Sequence, residues 1–576
     1  MEEKKIGLTS VVSTGVGLVV STSCLISLCG GASKIGTMFI VSIALACVLN
    51  MTTAASLAEM NALMPNMTGG LAQYTMAGLG YFATVVSMVG GYLICNCLTA
   101  PAEGAMFGLV MKDLLGVNIP SGVFAVAITL ILMIVNLFGV DMFAKVQNVI
   151  AFLLIGSFLV LGICGTFKLS GSPTVVQPAT TASVLDGIKM AATAFWLFIG
   201  VEFVIPIASD VKNPHKNIPL GMFLSLAIIA VIQTFMVLGL KNYVLYGDLA
   251  ASSAPHILYG VRLFGRVGKV WIGMISILAA ISTQNSVINS IPRICMGMSK
   301  TNLLPQFFGK TNKYDTPYVG VLVFSAIIMI IEGTGLASTG AISFLVLTAS
   351  VFWMISYIII HVDVLVLRKR LPKVPRNFKV KGGWIVPIIG IVGTGYMVIN
   401  ISTDPAERLK IWLIVGIIFV LLSVYAVLWI KLKMKKPLFK AVPLHEVLAM
   451  ENPYYYVLHY RREVASGLSR KGHRKTKGSK EEATLKYAAN DAPEAFNHAG
   501  ESEPERTGAL AGNGVGAPAE PAEHSGLQPA KKRTMAEILK PADVVVPMAE
   551  AAVIAEDSEN AGAVMEEEVE DSTTAY

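Results

Sequence analysis

The sequence predicts an all-α membrane protein that crosses the bilayer many times and ends in a polar extension. Three observations carry this reading. Of 576 residues, 54% are hydrophobic and only 14% are charged, with a mean hydropathy of +0.64. Ordinary soluble domains carry roughly 25% charged residues. The apolar residues fall into runs long enough to span a bilayer, which needs roughly 20 residues each, and all of these runs lie before about Lys433. Finally, one run, 191–219 (AATAFWLFIGVEFVIPIASDVKNPHKNIP), places Gly200, Glu202 and Pro206 within seven residues. An acid at mid-membrane costs roughly 2.5–3.5 kcal/mol on insertion scales. A helix that accepts both the acid and a break either lines an aqueous cavity or is packed inside protein.

Twelve spans follow in order, at about 8–30, 35–58, 81–109, 121–140, 144–167, 187–208, 219–241, 268–298, 317–334, 340–366, 384–402 and 409–431. The loops set the expected orientation, because lysine and arginine concentrate on the cytoplasmic side. Even-numbered spans are followed by Lys212 and Lys216; by Lys300, Lys310 and Lys313; by a run from Arg368 to Lys381; and by Lys431 to Lys436. The opposite loops are poorer, apart from Arg262, Arg266 and Lys269. Both termini are therefore expected inside, in a cell-membrane protein. MEEKK leads directly into span one without a cleavage pattern, so no removable signal peptide is expected. The seven cysteines all sit in apolar segments, and Cys95-Asn96-Cys97 has neither zinc nor redox spacing, so no metal, cofactor or disulfide framework is expected. The loop cations account for the net charge of +7, which leaves no case for nucleic-acid binding.

Span one (TSVVSTGVGLVVSTSCLISLCGG) carries Gly15, Gly17 and the polar run Ser21-Thr22-Ser23-Cys24 at mid-membrane. Alone, it could be a small-residue packing face of the kind common in membrane bundles. Span six is also interrupted, five spans later. Paired interruptions in corresponding halves point to a substrate site in an inverted-repeat transporter. Half-helix N-termini there would offer free N–H groups and a positive dipole end to an anionic group.

Three stretches resemble the amino acid–polyamine–organocation transporter superfamily. Ala58-Glu59, Pro65, Gly69-Gly70 and Tyr74 resemble its "AE…P…GG…Y" signature. Phe198-Ile199-Gly200-Val201-Glu202 and the following Lys212-Asn213-Pro214…Ile218-Pro219 resemble its sixth span and loop. Arg293 to Tyr318 resembles the stretch after its eighth span. The resemblance covers about residues 5–435. It implies the five-plus-five inverted repeat of the leucine transporter, with helices 1 and 6 broken and two extra helices. Trp196 to Glu202 is similar to the basic amino acid/polyamine antiporter branch, the arginine/agmatine antiporter in particular. That similarity implies a gating role for Trp196 and a proton-linked role for Glu202. It also places Ser21, Thr22 and Ser23 on the family's Gly-Ser-Gly turn, which binds the substrate carboxylate, and Asn96 on a substrate-binding asparagine. Both glycines of that turn are serines here. The second aromatic expected in span eight is aliphatic near Val287, and span five has no mid-membrane lysine. Arginine/agmatine exchange in particular is therefore not implied.

Each candidate has a plainer reading. Glu202 could cap the N–H groups of the second half-helix and stay ionised. Trp196 could be a packing aromatic. In Ser282-Thr283-Gln284-Asn285, adjacent residues point roughly 100° apart on a helix, so Thr283 with Ser286, or Ser282 with Asn285, share a face. Interhelical hydrogen bonding, worth about 0.6 kcal/mol on average in membranes, would explain them and Asn96 without a ligand. Glu59, Lys212, Asn213 and Pro214 read as structural, with Asp210 and Lys212 able to join an inner gate. Glu103, Glu332, His361 and Asp363, near span ends, read as solvated.

The expected organisation is a transporter domain over 1–432 and a cytoplasmic tail over 433–576. The tail's KMKKPLFK suits anionic lipid headgroups, Asn452 to Arg462 is aromatic and basic, and the remainder cannot bury a core and reads as largely disordered. The expected function is secondary active transport of an amino acid or related amine by alternating access, through proton-coupled symport or substrate/product exchange, in a monomer or homodimer. Substrate contacts are expected from Ser21, Thr22, Ser23, Asn96, Trp196, Ile199, Gly200, Glu202 and Asn285. A sodium-coupled symporter, with a cation near Ser282 and Thr283, is the alternative, as is an amino-acid sensor that binds without transport. An enzyme is not expected.

Overall fold

The first apolar run is two helices, not one. The computed structural model describes residues 7–19, 21–64, 71–138, 143–178, 181–335, 339–374, 376–380 and 382–450. Pro65 to Gly70, the side chains of Pro206 and Asp210, and the tail from residue 451 onward lie outside that description. Helix α1 (Leu8–Val19) stops, and α2 (Thr22–Ile35) starts behind Ser21, which is extended at φ −122°, ψ 167°. The Ser21 hydroxyl accepts the Cys24 N–H at 3.3 Å, which is the N-cap arrangement. Removing such a cap costs about 0.5–2 kcal/mol. Ser21→Ala should therefore lower the apparent melting temperature while Ser21→Thr, which keeps an acceptor, should not; equal melting of all three proteins would contradict the cap.

The other helices follow in order. They are α3 (Phe39–Leu63), the short α4 (Leu71–Gly78), α5 (Tyr81–Leu115), α6 (Ser121–Leu137) and α7 (Phe143–Thr166). Short helix α8 (Val184–Lys189) leads into α9 (Ala191–Phe195), which tightens to 3-10 geometry over Trp196–Phe198, and a separate 3-10 helix, α10, covers Val201–Asp210. Next come α11 (Pro214–Tyr243), the short α12 (Tyr246–Ala251) and α13 (Pro255–Lys300), kinked at Phe264 and Gly265. Helices α14 (Tyr318–Gly333), α15 (Thr339–Arg370), α16 (Ile385–Ile399), α17 (Pro405–Met434) and α18 (Leu444–Ala449) follow within the described residues. Among the described residues there is no strand. Among the described residues six helical stretches are long and apolar enough to cross a membrane, and shorter apolar helices accompany them. The outer face of α17 exposes Leu413, Ile417, Val420, Leu421, Val424 and Leu428. A stripe of that size is far larger than the scattered apolar exposure of a soluble surface and suits lipid.

The core forms where α1 and α10 pack on each other and on α11, while α5 packs against α13 and α15. Helix α5 carries a π-helical stretch at Val86–Ile94. The carbonyl of Ser87 there accepts the Ser356 hydroxyl at 2.9 Å, so α15 satisfies a backbone group that the irregular stretch frees. The two helices come this close because residue 91 is glycine: a Cβ would sit 2.0 Å from Ser356 Oγ.

At one end of the bundle Glu59 is buried and held by Arg368, whose Nε approaches at 2.7 Å, by the Val380 N–H at 2.9 Å and by Arg376 at 3.9 Å. The chain after α17 folds back here. Phe82 N–H donates to Leu438 O, Val442 N–H donates to Met76 O, and Leu444, Val447 and Leu448 of α18 are buried. The extension drawn from residue 433 thus begins with a docked stretch.

Four acids and imidazoles expected in solvent are not there. Glu103, Glu332, His361 and Asp363 are all buried, none more than 4% exposed. Helices α5 and α15 run on past their apolar windows, so Glu103, His361 and Asp363 lie deeper than their distance from a span end suggests. Helix α15 continues to Arg370, which puts His361 and Asp363 about two turns inside it, where His361 meets Thr53 and Ser56 of α3. Glu332 ends α14 against α6 and α13, accepting Thr129 Oγ1 at 2.8 Å and Gln284 Nε2 at 2.9 Å.

Candidate functional site

The second break, between α9 and α10, is made by two residues. Ile199 is extended at φ −70°, ψ 137°, and Gly200 takes φ +116°. That second conformation is open to glycine and strained for any residue with a Cβ. The helix ends exposed by the break find side-chain partners. Gln233 of α11 donates to the Leu197 carbonyl at 2.9 Å, and the Gly200 N–H donates to Glu202 Oε2 at 3.1 Å.

The two breaks meet. The indole Nε1 of Trp196 donates to Ser23 Oγ at 3.0 Å, and Cys24 Sγ lies 3.7 Å from the Trp196 carbonyl. Thr22 Oγ1 donates to the Ser276 carbonyl of α13 at 3.1 Å. Glu202 is fully enclosed and takes Trp353 Nε1 at 2.8 Å and Tyr357 OH at 2.8 Å, both from α15, besides the Gly200 N–H. Trp353 and Tyr357 are four residues apart, so one helix face presents both donors. Tyr92 and Phe203 pack on Trp353 with ring centroids 5.2 and 6.2 Å away. The result is a buried carboxylate roofed by aromatic rings, beside two interrupted helices.

The start of α2 is already occupied by a second carboxylate. Glu103 of α5 accepts the Thr22 N–H at 3.2 Å and the Ser23 N–H at 3.0 Å. The sequence did contain a signal for it. Asn96, Thr99 and Glu103 recur at three and four residues, which is one helix face.

The structure thus brings together Ser21, Thr22, Ser23, Trp196, Ile199, Gly200 and Glu202. Asn96 is buried on the same helix as Glu103 but donates to its own Tyr92 carbonyl at 2.6 Å. Asn285 is turned elsewhere: its Oδ1 accepts Asn136 Nδ2 of α6 at 2.6 Å. It belongs to a polar seam with Gln284, Thr129 and Glu332 that ties α6, α13 and α14. Helix α5 passes close to this seam because residue 104 is glycine; a Cβ would lie 1.8 Å from Glu332 Oε1. Ser282 is buried on α13, where its carbonyl accepts Ser286 Oγ at 2.8 Å, and Thr283 is half-buried. Among the described residues no group of three His, Cys, Asp or Glu side chains is placed to hold a metal ion.

The family model described as amino acid permease matches residues 6–422. The chain belongs to the amino acid permease family. The permease is 23% identical over 449 residues to the branched-chain amino acid permease BcaP of Bacillus subtilis, covering 72% of this chain and 92% of that one. It is 25% identical over 360 residues to the low-affinity putrescine importer PlaP of Escherichia coli, covering 60% of this chain and 78% of that one. Against the serine/threonine exchanger SteT of Bacillus subtilis it is 25% identical over 368 residues, covering 61% and 80%. Family and apolar helices together make this permease a multi-pass membrane protein.

Proposed function

We propose that this permease is a secondary transporter of an amino acid or closely related amine, working by alternating access around the paired breaks. The observation that carries the reading is the hydrogen bond from Trp196 to Ser23, which joins one interrupted helix to the other. Such paired breaks at a midplane site are the arrangement on which inverted-repeat transporters rock. The proposed layout is twelve spans, five pairing with five as an inverted repeat, with two added and both termini cytoplasmic. Broken α1–α2 and α9–α10 stand in corresponding halves, and the lysine and arginine clusters favour that orientation. The names of the relatives, which include amino acid permeases, an importer of putrescine and an exchanger, support a small amino acid or amine as cargo.

The enclosed Glu202 is the group best placed to couple substrate to a proton, since the Gly200 N–H, the Trp353 indole and the Tyr357 hydroxyl that donate to it are all neutral. Proton-coupled symport and exchange both use such a carboxylate. Protein reconstituted into liposomes and preloaded with amino acids or amines should give counterflow of the same compound. Binding without counterflow would refute transport. Trp196→Phe removes the indole donor and leaves Ser23 Oγ without it. A net hydrogen bond contributes about 0.5–1.5 kcal/mol, so apparent affinity should weaken by roughly two- to tenfold. Unchanged affinity would place Trp196 in packing alone.

A further inference from the structure

The free N–H groups at the start of α2 are the natural dock for a substrate carboxylate, and the chain itself has filled that dock. The first three amides of this helix are Thr22, Ser23 and Cys24. The first two donate to Glu103 and the third to the Ser21 hydroxyl. At the other break the Gly200 amide donates to Glu202. The amides of Thr22, Ser23, Cys24 and Gly200 are thus all taken up within the chain. Meanwhile two buried carboxylates face the junction, and none of the ion pairs among the described residues involves either of them.

Among the described residues, neither Glu103 nor Glu202 has a cationic partner in an ion pair. Two wholly enclosed hydroxyls beside these residues have no partner among the described residues: Tyr92 Oη, on the ring that packs against Trp353, and Ser276 Oγ, on the residue whose carbonyl holds Thr22. Each can accept a hydrogen bond from an ammonium group. The rings of Tyr92, Trp353 and Phe203, within 6.2 Å of one another, supply the aromatic faces that attract a desolvated cation.

We propose that Glu103 is an internal stand-in for the substrate carboxylate, so that the permease selects organic amines without an α-carboxylate over the corresponding amino acids. This rests on the transporter reading above and narrows its cargo. A carboxylate-bearing ligand would have to displace Glu103 from two N–H groups and then lie beside it, leaving one anion without its donors. An amine brings no second anion to the junction, and its ammonium can pair with a carboxylate without taking the Thr22 and Ser23 amides from Glu103.

The test uses matched pairs that differ only by the carboxylate: lysine with cadaverine, and leucine with isoamylamine. Thermal-shift titration and liposome counterflow are run on the full chain, at acidic and at neutral pH. Hydrogen bonds to charged groups are worth enough that wild type should prefer the amine of at least one pair by about tenfold or more. Glu103→Ala should weaken that amine and strengthen its amino acid, narrowing or reversing the ratio. Glu103→Gln, which keeps an acceptor for one amide should the alanine protein fail to fold, should narrow it less. If at least one member of a pair binds but no pair shows that preference at either pH, the assignment of Glu103 is overturned while transport stays intact. Neither member of any pair bound or exchanged would overturn the transporter reading, and this inference with it.

Discussion

Gly200→Ala should nearly abolish transport while leaving a protein that still folds and inserts. The residue holds φ +116°, and its amide is the donor to Glu202. A side chain in such a region costs roughly 1–3 kcal/mol. The helix can relieve that strain only by continuing through the break, with 199–201 turning helical. Continuation would draw the Gly200 amide back toward α9 and away from Glu202, and would shift Trp196 relative to Ser23. Strain of this size corresponds to roughly five- to 150-fold in rate if it falls on the step that opens the site. Counterflow in liposomes should fall by at least about fivefold with the apparent melting temperature changed little or raised, because a continuous helix is the more regular structure. Full activity in Gly200→Ala would mean that the break is not part of the transport cycle.

Glu59→Ala should be the most destabilising single change in the cluster of Glu59, Arg368 and Arg376. Glu59 is 2% exposed and takes Arg368, Arg376 and the Val380 amide. Its removal leaves two guanidinium groups, with side chains 13% and 6% exposed, without their counter-charge. Breaking a buried pair from one side costs about 3–5 kcal/mol, whereas removing both partners costs far less than the sum. Fluorescence-detected gel filtration after heating should show Glu59→Ala and Arg368→Ala each melting early, and the double variant melting later than the sum of their effects implies. Strict additivity would show that the pair is incidental. The docked chain after α17 gives the cluster a further role, since Arg370, two residues beyond Arg368, donates to the Val442 carbonyl at 3.1 Å. Loosening the cluster should therefore also expose residues 438–448 to protease.

The breaks were legible in the sequence because they violate a strong local rule. Glycine, a carboxylate and a run of hydroxyls do not belong at the centre of an apolar helix, and few structures tolerate them there. Ser21 to Ser23 and Trp196 to Glu202 announce themselves for that reason. Burial near helix ends was not legible in the same way. Glu103 and Glu332 sit close to where their apolar runs give out, and a hydropathy profile says nothing about which neighbour covers them. Helical spacing does carry part of the answer. Asn96, Thr99 and Glu103 share one face of α5, and Thr129 and Asn136 share one face of α6. Seen as faces, the first points to the junction with α2 and the second to the seam that takes up Gln284 and Asn285. The partner of each face is set by tertiary packing, which is why Asn285 was expected at the substrate site and is found hydrogen-bonded to Asn136 instead. The donors to Glu202 illustrate the same limit: Trp353 and Tyr357 are ordinary apolar-helix aromatics until α15 is laid against α10.

The most direct measurement is the accessibility of Ile199, which sits in the extended step between α9 and α10. Its cysteine variant, Ile199→Cys, would be made in protein whose seven native cysteines have been replaced, and oriented in sealed vesicles. If the two breaks form a site that opens alternately to each side, a membrane-impermeant thiol reagent should label this position from either face. The transported compound should slow that labelling several-fold. Labelling from one face only, at a rate indifferent to every amino acid and amine that the protein binds, would contradict it.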